Sequence, residues 1–325
     1  MRFSPSSINT LSKCGYKYFL EKVEGHREPG KKKYAALQGD IVADAIQAGV
    51  LKVIEQKSIT EEEIIELLAT AYTERYEQAG IDDAVLSPVL SLLREGVSEE
   101  ALRAIDMYAI AINSSAYEIK IPPPLKGGGV SKSKTKPPLS MQVYNTVENV
   151  LWFFSNANPV YPLLFMAKSA DNELPFEVAV GQPYTVIING QAVQEEDSLN
   201  GRYDTVLTMH DESKIILEYK YTKTRYSQVM VDRARQMLAY QYALRATSGA
   251  AWLIDVNHQA AYRANKPDNL EHIVEMLVRA ARQLVTNQIF LPKCGADPYT
   301  DSSVLCGFKS CGLCPFGTGE QMDDD

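Results

Sequence analysis

A chain of 325 residues, 45% of them apolar, holds enough hydrophobic material for one large core or two ordinary ones. A formal net charge of −8, with a pI near 5.2, excludes a protein that coats nucleic acid indiscriminately. No apolar run approaches the roughly 18 residues that a bilayer span requires, and the N-terminus "MRFSPSSINTLSKCGYKYF" has no signal-peptide apolar core, so the expectation is a cytoplasmic protein without a membrane partner.

In chain order, the spacing first predicts a helix over residues 6–23, with Ser6 or Ser7 as N-cap and Cys14 within it. Residues 34–115 read as helical throughout, with Thr60 and Glu63 as a capping box. Residues 121–140, "IPPPLKGGGVSKSKTKPPLS", combine Pro, Gly, Ser and Lys without periodicity and read as a linker. One helix and a packing segment follow over 141–169. Strand patterns then occupy 174–190, 201–209, 214–221 and 249–256, with a helix over 228–246 between the last two and another over 269–287. Helical region, small sheet, crossover helix, strand and helix make an α/β core with a helical insertion.

The strand text "GRYDTVLTMHDESKIILEYK" at 201–220 carries charges that a buried strand does not tolerate unpaired. "HDES" is a polar turn, so the two runs predict an antiparallel hairpin. A three-residue loop sets Asp204 opposite Glu218, with Lys220 on the same side, whereas a two- or four-residue loop separates their faces. Two carboxylates that close repel each other unless a divalent cation with hard oxygen ligands, Mg²⁺ or Mn²⁺, lies between them. Such a cation polarises a phosphoryl oxygen and lowers the pKa of a bound water, while the Lys220 ammonium orients that water, which points to phosphodiester hydrolysis. The alternative is a surface hairpin whose charges are merely solvated. Basic residues gather locally at Lys31–Lys33, at Lys126, Lys132, Lys134 and Lys136, and around the hairpin at Lys223, Arg225, Arg233 and Arg235, which is compatible with phosphate contacts on an acidic body.

Five cysteines, an odd number gathered at the two ends, suit thiolate metal ligation better than a disulfide framework. "CGFKSCGLCPF" supplies Cys306, Cys311 and Cys314, and Cys14 makes a fourth ligand, with Cys294 as a substitute for Cys306. Four thiolates fit tetrahedral Zn²⁺ or an iron–sulfur cluster, and spacing does not choose between them.

"GRYD" (201–204), "ILEYK" (216–220) and "QMLAY" (236–240) together resemble the PD-(D/E)XK nuclease superfamily, in particular its RecB-like exonuclease branch. The resemblance covers about residues 4–45 and 172–316. It implies a restriction-endonuclease-like fold, a small mixed sheet flanked by helices, and divides the chain into four parts. These are the N-terminal, cluster-bearing part of the nuclease core (1–45), a mainly helical insertion (46–170), the nuclease core (171–290) and a cysteine-rich C-terminal segment with an acidic tail (291–325). It also implies metal binding by Asp204, Glu218 and the carbonyl of Tyr219, water positioning by Lys220, and a role for Gln236 and Tyr240 in holding the active-site strand or the DNA backbone. The substrate implied is DNA, single-stranded or with free ends, in recombination, repair or CRISPR spacer acquisition, with a recombination or CRISPR adaptation complex as partner. AddB-like and CRISPR-associated members resemble the chain in the placement of Cys14, Cys306, Cys311 and Cys314, which implies a 4Fe-4S cluster with Zn²⁺ as the alternative. The chain departs from the pattern at Gly15, where the family has Pro, in its C-x4-C-x2-C spacing, and at Ala43, which takes the place of a histidine for which Asp40 or Asp44 could substitute. Glu177 matches the family's acid on the preceding strand. Two rival readings keep the fold: a DNA-binding or assembly subunit with a vestigial centre, and a Zn-stapled endonuclease.

Overall fold

The computed structural model describes residues 1–25, 34–95, 110–113, 118–121 and 139–289. Ser4 begins the first helix: its hydroxyl accepts from the Ser7 N–H (3.1 Å) while its own N–H donates to Ser7 Oγ (2.8 Å), a reciprocal capping box. Helix α1 (Pro5–Lys13) therefore starts at Ser4 rather than at Ser6 or Ser7, because Pro5 suits the first helical position and leaves Ser4 to cap. Nor does one helix run to residue 23. Cys14 adopts an extended conformation (φ −156, ψ 105) that separates α1 from α2 (Gly15–Tyr18), and a π-helical turn over Phe19–Val23 follows.

Helices α3 (Tyr34–Gln56), α4 (Glu61–Ala79) and α5 (Asp83–Glu95) form the helical region. Thr60 and Glu63 cap α4 as expected, and Gly80 ends it in the left-handed conformation (φ 70). The helical reading through 115 fails at its end: Ile110–Asn113 is a strand, β2, paired antiparallel with β3 (Glu118–Ile121). Isoleucine at alternate positions of "IAIN" and "EIKI" favours the pleated form. Most of the 121–140 stretch lies outside the described residues. Helices α6 (Leu139–Phe153) and α7 (Tyr161–Met166) lead into the main sheet.

That sheet has six strands: β1 (Arg2–Phe3), β4 (Ala167–Ile188), β5 (Gln191–Met209), β6 (Lys214–Lys220), β7 (Gly249–Asp255) and β8 (Ala260–Arg263). The short edge strands, first and last in the chain, carry too few residues for alternation to reveal them in the sequence. Strands β4 and β5 form a long hairpin closed by Asn189 and Gly190, both at positive φ as a two-residue turn demands. It runs well past the strand segments expected from apolar alternation, because the polar stretch "QEEDS" pairs with the outer half of β4. Strand β6 pairs antiparallel with β5 and parallel with β7. The crossover between β6 and β7 is two helices, α8 (Gln228–Arg233) and α9 (Arg235–Ala243), broken at the extended Ala234 where a single helix over 228–246 was expected. Helix α10 (Leu270–Thr286) closes the described chain.

Side chains alternate across the strands and so build two cores. On one face Leu207, Leu217, Tyr219 and Ile254 are buried against α3 to α7. On the other Val206, Ile216 and Leu253 are buried with Val231, Met237 and Tyr240 of α8 and α9, and a neighbouring cluster joins Leu199 to Leu238, Val274 and Val278. The fold is thus α/β, a mixed sheet with helices on both faces, in agreement with expectation. No helix among the described residues is long and apolar enough to cross a membrane.

Candidate active site

Strands β5 and β6 pair from Thr208↔Lys214 to Thr205↔Leu217, and the Met209 N–H donates to the Ser213 carbonyl (2.9 Å). The turn between them is therefore the three-residue form, and Asp204 falls opposite Glu218. The ladder ends at Thr205↔Leu217. Beyond it the Asp204 carboxylate takes the place of a strand carbonyl, Oδ2 accepting from the Tyr219 N–H at 2.8 Å. Burial first, and then the Glu218 charge, push the Asp204 carboxyl up to about 7, against the pull of the Tyr219 N–H and Lys220.

Glu218 is 1% exposed and is held from three sides. Its Oε1 meets the Lys220 ammonium and accepts from Gln236 Nε2 (2.8 Å), while Oε2 accepts from the Tyr240 hydroxyl (2.8 Å). Gln236 Nε2 also donates to the Tyr240 oxygen (2.7 Å), as residues one turn apart on α9 can. Burial works to lower the Lys220 ammonium, but the Glu218 and Asp204 carboxylates outweigh it and hold it above its ordinary value. Tyr240 is raised by burial and by the Glu218 charge, so its hydroxyl stays a donor.

The local sequence explains how α9 reaches the sheet. Phe176, opposite Gly201 in the β4–β5 register, lays its ring over that glycine, where a Cβ would lie 2.7 Å from a ring carbon. The ring stacks on Tyr203 (centroids 4.5 Å apart) and meets Tyr240 edge-on (5.8 Å), while Tyr203 and Tyr240 lie 5.0 Å apart. These three rings seat Tyr240 above Glu218.

From the opposite face α3 holds the same strands. Gln47 Nε2 donates to the Asp204 carbonyl (3.0 Å), and Asn172 Nδ2 donates to the Gln47 carbonyl (3.3 Å). The Tyr219 hydroxyl donates to Thr205 Oγ1 (3.0 Å), which donates to Asn172 Oδ1 (2.8 Å). Ala43 lies one turn before Gln47 on the same side of α3. Asp44, on the next position of α3, accepts a bidentate pair from Arg75 (2.5 and 2.9 Å).

The structure thus brings together Asp204, Glu218, Lys220, Gln236 and Tyr240, with Tyr219 between the two acids. Glu177 stands apart, bound to Arg2 (3.0 Å) and Ser198 (2.9 Å) and opposite Asn200. The β4 acid opposite Asp204 is Glu173, between the pairs Asn172↔Thr205 and Leu174↔Tyr203. It sits at φ 53, pairs with Arg202 (3.5 Å), and adds to the upward push on Asp204. Counting back from the Asn189–Gly190 turn misses it, because a bulge between Val180 and Tyr184 shifts the register. Among the described residues no group of three or more His, Cys, Asp and Glu side chains forms a metal site. The donors that converge are the hard oxygens of two carboxylates, and Asp204 Oδ1 accepts no hydrogen bond among the described residues, a chemistry that suits Mg²⁺ or Mn²⁺. Cys14 is half-buried at the α1–α2 junction, its sulfur accepting from the Lys17 N–H (3.4 Å). Cys294, Cys306, Cys311 and Cys314 lie outside the described residues, as do Lys31–Lys33 and the basic residues at 126–136.

A family model of the PD-(D/E)XK nuclease superfamily matches residues 2–118 and 163–318. No curated protein matches the chain. Among solved structures, one described as "Crystal structure of SSO0001" is similar at 17% identity over 55% of this chain and 75% of that chain, with a TM-score of 0.27, a likeness that carries no weight for function.

Proposed function

The chain belongs to the PD-(D/E)XK nuclease superfamily, and from that premise we propose that it is a divalent-metal-dependent deoxyribonuclease of the RecB-like exonuclease branch. Its substrate is single-stranded or end-bearing DNA, in recombination, repair or CRISPR spacer acquisition. The observation that carries the reading is the convergence of Asp204, Glu218 and Lys220 at the point where β5 and β6 part.

Asp204, Glu218 and the Tyr219 carbonyl would hold Mg²⁺ or Mn²⁺, which supplies Lewis-acid polarisation of a phosphoryl oxygen and a more acidic bound water. Gln236 and Tyr240 fix the orientation of the Glu218 carboxylate, leaving it no freedom to swing. The Lys220 ammonium, held by Glu218, stays charged and offers its remaining protons to the attacking water and to the charge that grows on the phosphate. Gln47 and the Tyr219 N–H hold Asp204 by its backbone and its side chain. Cys14, Cys306, Cys311 and Cys314 belong to the same proposal as ligands of a 4Fe-4S cluster, or of Zn²⁺, that ties the first helix to the C-terminal segment.

A second reading, a DNA-binding subunit with a weak or inactive centre, is favoured by Ala43 standing where the family has histidine. End-labelled linear and closed circular DNA, incubated with Mn²⁺ and the purified protein, separate the two. Cleavage of linear DNA alone, lost in Asp204→Ala, Glu218→Ala and Lys220→Ala, is the expected result. Full activity in any of these variants defeats the site, cleavage of circles defeats the exonuclease reading, and binding without cleavage favours the second reading.

A further inference from the structure

Two depressions meet beside the carboxylate centre. The first, of 380 Å³, reaches Gln236 and Tyr240, which hold Glu218, and is bordered by Arg202 and Arg235. The second, of 730 Å³, runs on between α1, the α8–α9 break and the segment joining β8 to α10. Asn9, Ala234 and Arg235 line both, so the two form one groove. The extended Ala234, where the crossover helix breaks, lies at the point where the two depressions meet.

The chemistry of the second part has two halves. Leu238, Ile273 and Leu277 make an apolar floor. Arg233, Arg235 and Lys266 stand around it. Arg235 is oriented by Asn9 Oδ1 (2.7 Å), whereas Arg233 and Lys266 are exposed and engage no carboxylate among the described residues. One acid also lines the groove, Asp232. Its carboxylate is partnered by the Asn265 N–H (2.9 Å), Asn265 Nδ2 (2.9 Å) and Gln228 Nε2 (2.8 Å). Three cations against one partnered carboxylate reverse the sign of a chain whose net charge is −8.

We propose that this groove holds a stretch of a single polynucleotide strand continuous with the one at the carboxylate centre, its phosphates at Arg235, Arg233 and Lys266 and its bases against the floor. The inference rests on the nuclease reading and adds that the strand leaving the centre is unpaired and which path it takes. A cationic rim over an apolar floor is what an unpaired strand requires, since its phosphates need charge and its exposed bases need apolar contact. A duplex keeps its bases stacked inside and has no use for the floor.

The test is binding in EDTA, where cleavage plays no part. Fluorescein-labelled oligothymidylate and a blunt hairpin duplex are titrated against the full-length protein at several salt concentrations, with anisotropy as readout. Arg233→Glu and Lys266→Glu should each weaken oligothymidylate binding about tenfold and make the salt slope shallower by about 0.7 for each phosphate no longer neutralised. Leu277→Gln should weaken binding with the slope unchanged, because the side chain it replaces touches a base and no phosphate. Lys168→Glu, a charge-matched change distant from the groove, should bind as wild type does, and thermal melts identify any variant that has lost its fold. Rim and floor variants that bind like wild type, as they would if another part of the chain covers the groove, overturn the proposal. Equal affinity for the blunt duplex, or no binding by wild type, does the same. Mn²⁺-dependent cleavage by wild type is scored separately, so a groove that fails in an active nuclease and a groove that binds in an inactive protein are distinguished.

Discussion

At the scale of single residues, two carboxylates on neighbouring strands meet opposite fates. Glu218 is compensated on both oxygens by Lys220, Gln236 and Tyr240. Asp204 is half-buried beside that charge with a single N–H on its carboxylate, and its carboxyl is pushed up to about 7 from 3.8. Folded protein without metal therefore keeps this proton at pH values where the unfolded chain has lost it. Between about pH 4 and pH 7 the native state binds more protons, so stability falls as the pH rises across that window. About three pKa units at about 1.4 kcal/mol each bound the loss at roughly 4 kcal/mol. Urea unfolding in EDTA at a series of pH values should show wild type weakening through the window and Asp204→Asn nearly flat, with Asp204→Asn the more stable above pH 7. Parallel pH profiles would remove Asp204 as the source. The acids of the β5–β6 hairpin were legible in the sequence because a short turn fixes its register within a few residues. Glu173 was not, because a bulge between Val180 and Tyr184 intervenes, and bulges leave no mark that alternation reveals.

At the scale of elements, the site is a matter of how α9 and α3 clamp β5 and β6 from opposite faces. The α9 side depends on a glycine. A Cβ at residue 201 would sit 2.7 and 2.9 Å from two carbons of the Phe176 ring, which is wedged between Gly201, Tyr203 and Tyr240 and has no free end to swing away. Gly201→Ala should cost about 1–3 kcal/mol of stability and more activity than the destabilisation explains, as Tyr240 is moved off Glu218. Adding Phe176→Leu should restore part of both, measured as melting temperature and cleavage rate, and a double variant no better than the single would show that the ring is not the obstacle. The α3 side depends on Gln47. Gln47→Leu removes the donor to the Asp204 carbonyl, a bond whose net worth is about 0.5–1.5 kcal/mol. It should reduce the apparent affinity for Mn²⁺ by up to about tenfold while the fold persists, and a Mn²⁺ titration of cleavage identical to that of wild type would sink this role. The sequence showed that a helix carrying Gln236 and Tyr240 follows the hairpin. It did not show the break at Ala234 or the break at Cys14, where one extended residue interrupts an otherwise unbroken apolar stripe.

At the scale of the whole molecule, the helical region and the sheet share one apolar core. Leu37, Ile41, Leu68, Tyr72 and Val89 of α3 to α5 belong to the same buried cluster as Leu207, Leu217 and Ile254 of β5 to β7. In the sequence, residues 46–170 stand apart as an insertion because the family resemblance covers only about 4–45 and 172–316, and helical periodicity there describes each element without naming its partner. A shared core has a thermodynamic signature: the two layers should unfold as one cooperative unit. The chain offers a convenient pair of reporters in its two tryptophans, Trp152 on α6 and Trp252 on β7, both packed against this cluster. Trp152→Phe leaves a reporter only in the sheet, and Trp252→Phe leaves one only in the helical layer. Denaturant unfolding followed by fluorescence should give one transition in each, with the same slope, and with midpoints that agree once each substitution's own effect is measured by circular dichroism. Gly49→Ala sharpens the comparison. A Cβ there would lie 2.3 Å from the Phe154 ring, and Phe154 is buried, so the strain falls entirely inside the helical layer and should cost about 1–3 kcal/mol. Added to either single-tryptophan variant, it should shift both transitions by the same free energy, because strain in one layer is felt wherever the core is common. If Gly49→Ala moves only the transition that Trp152 reports, the helical layer folds on its own and the shared core does not couple it to the sheet.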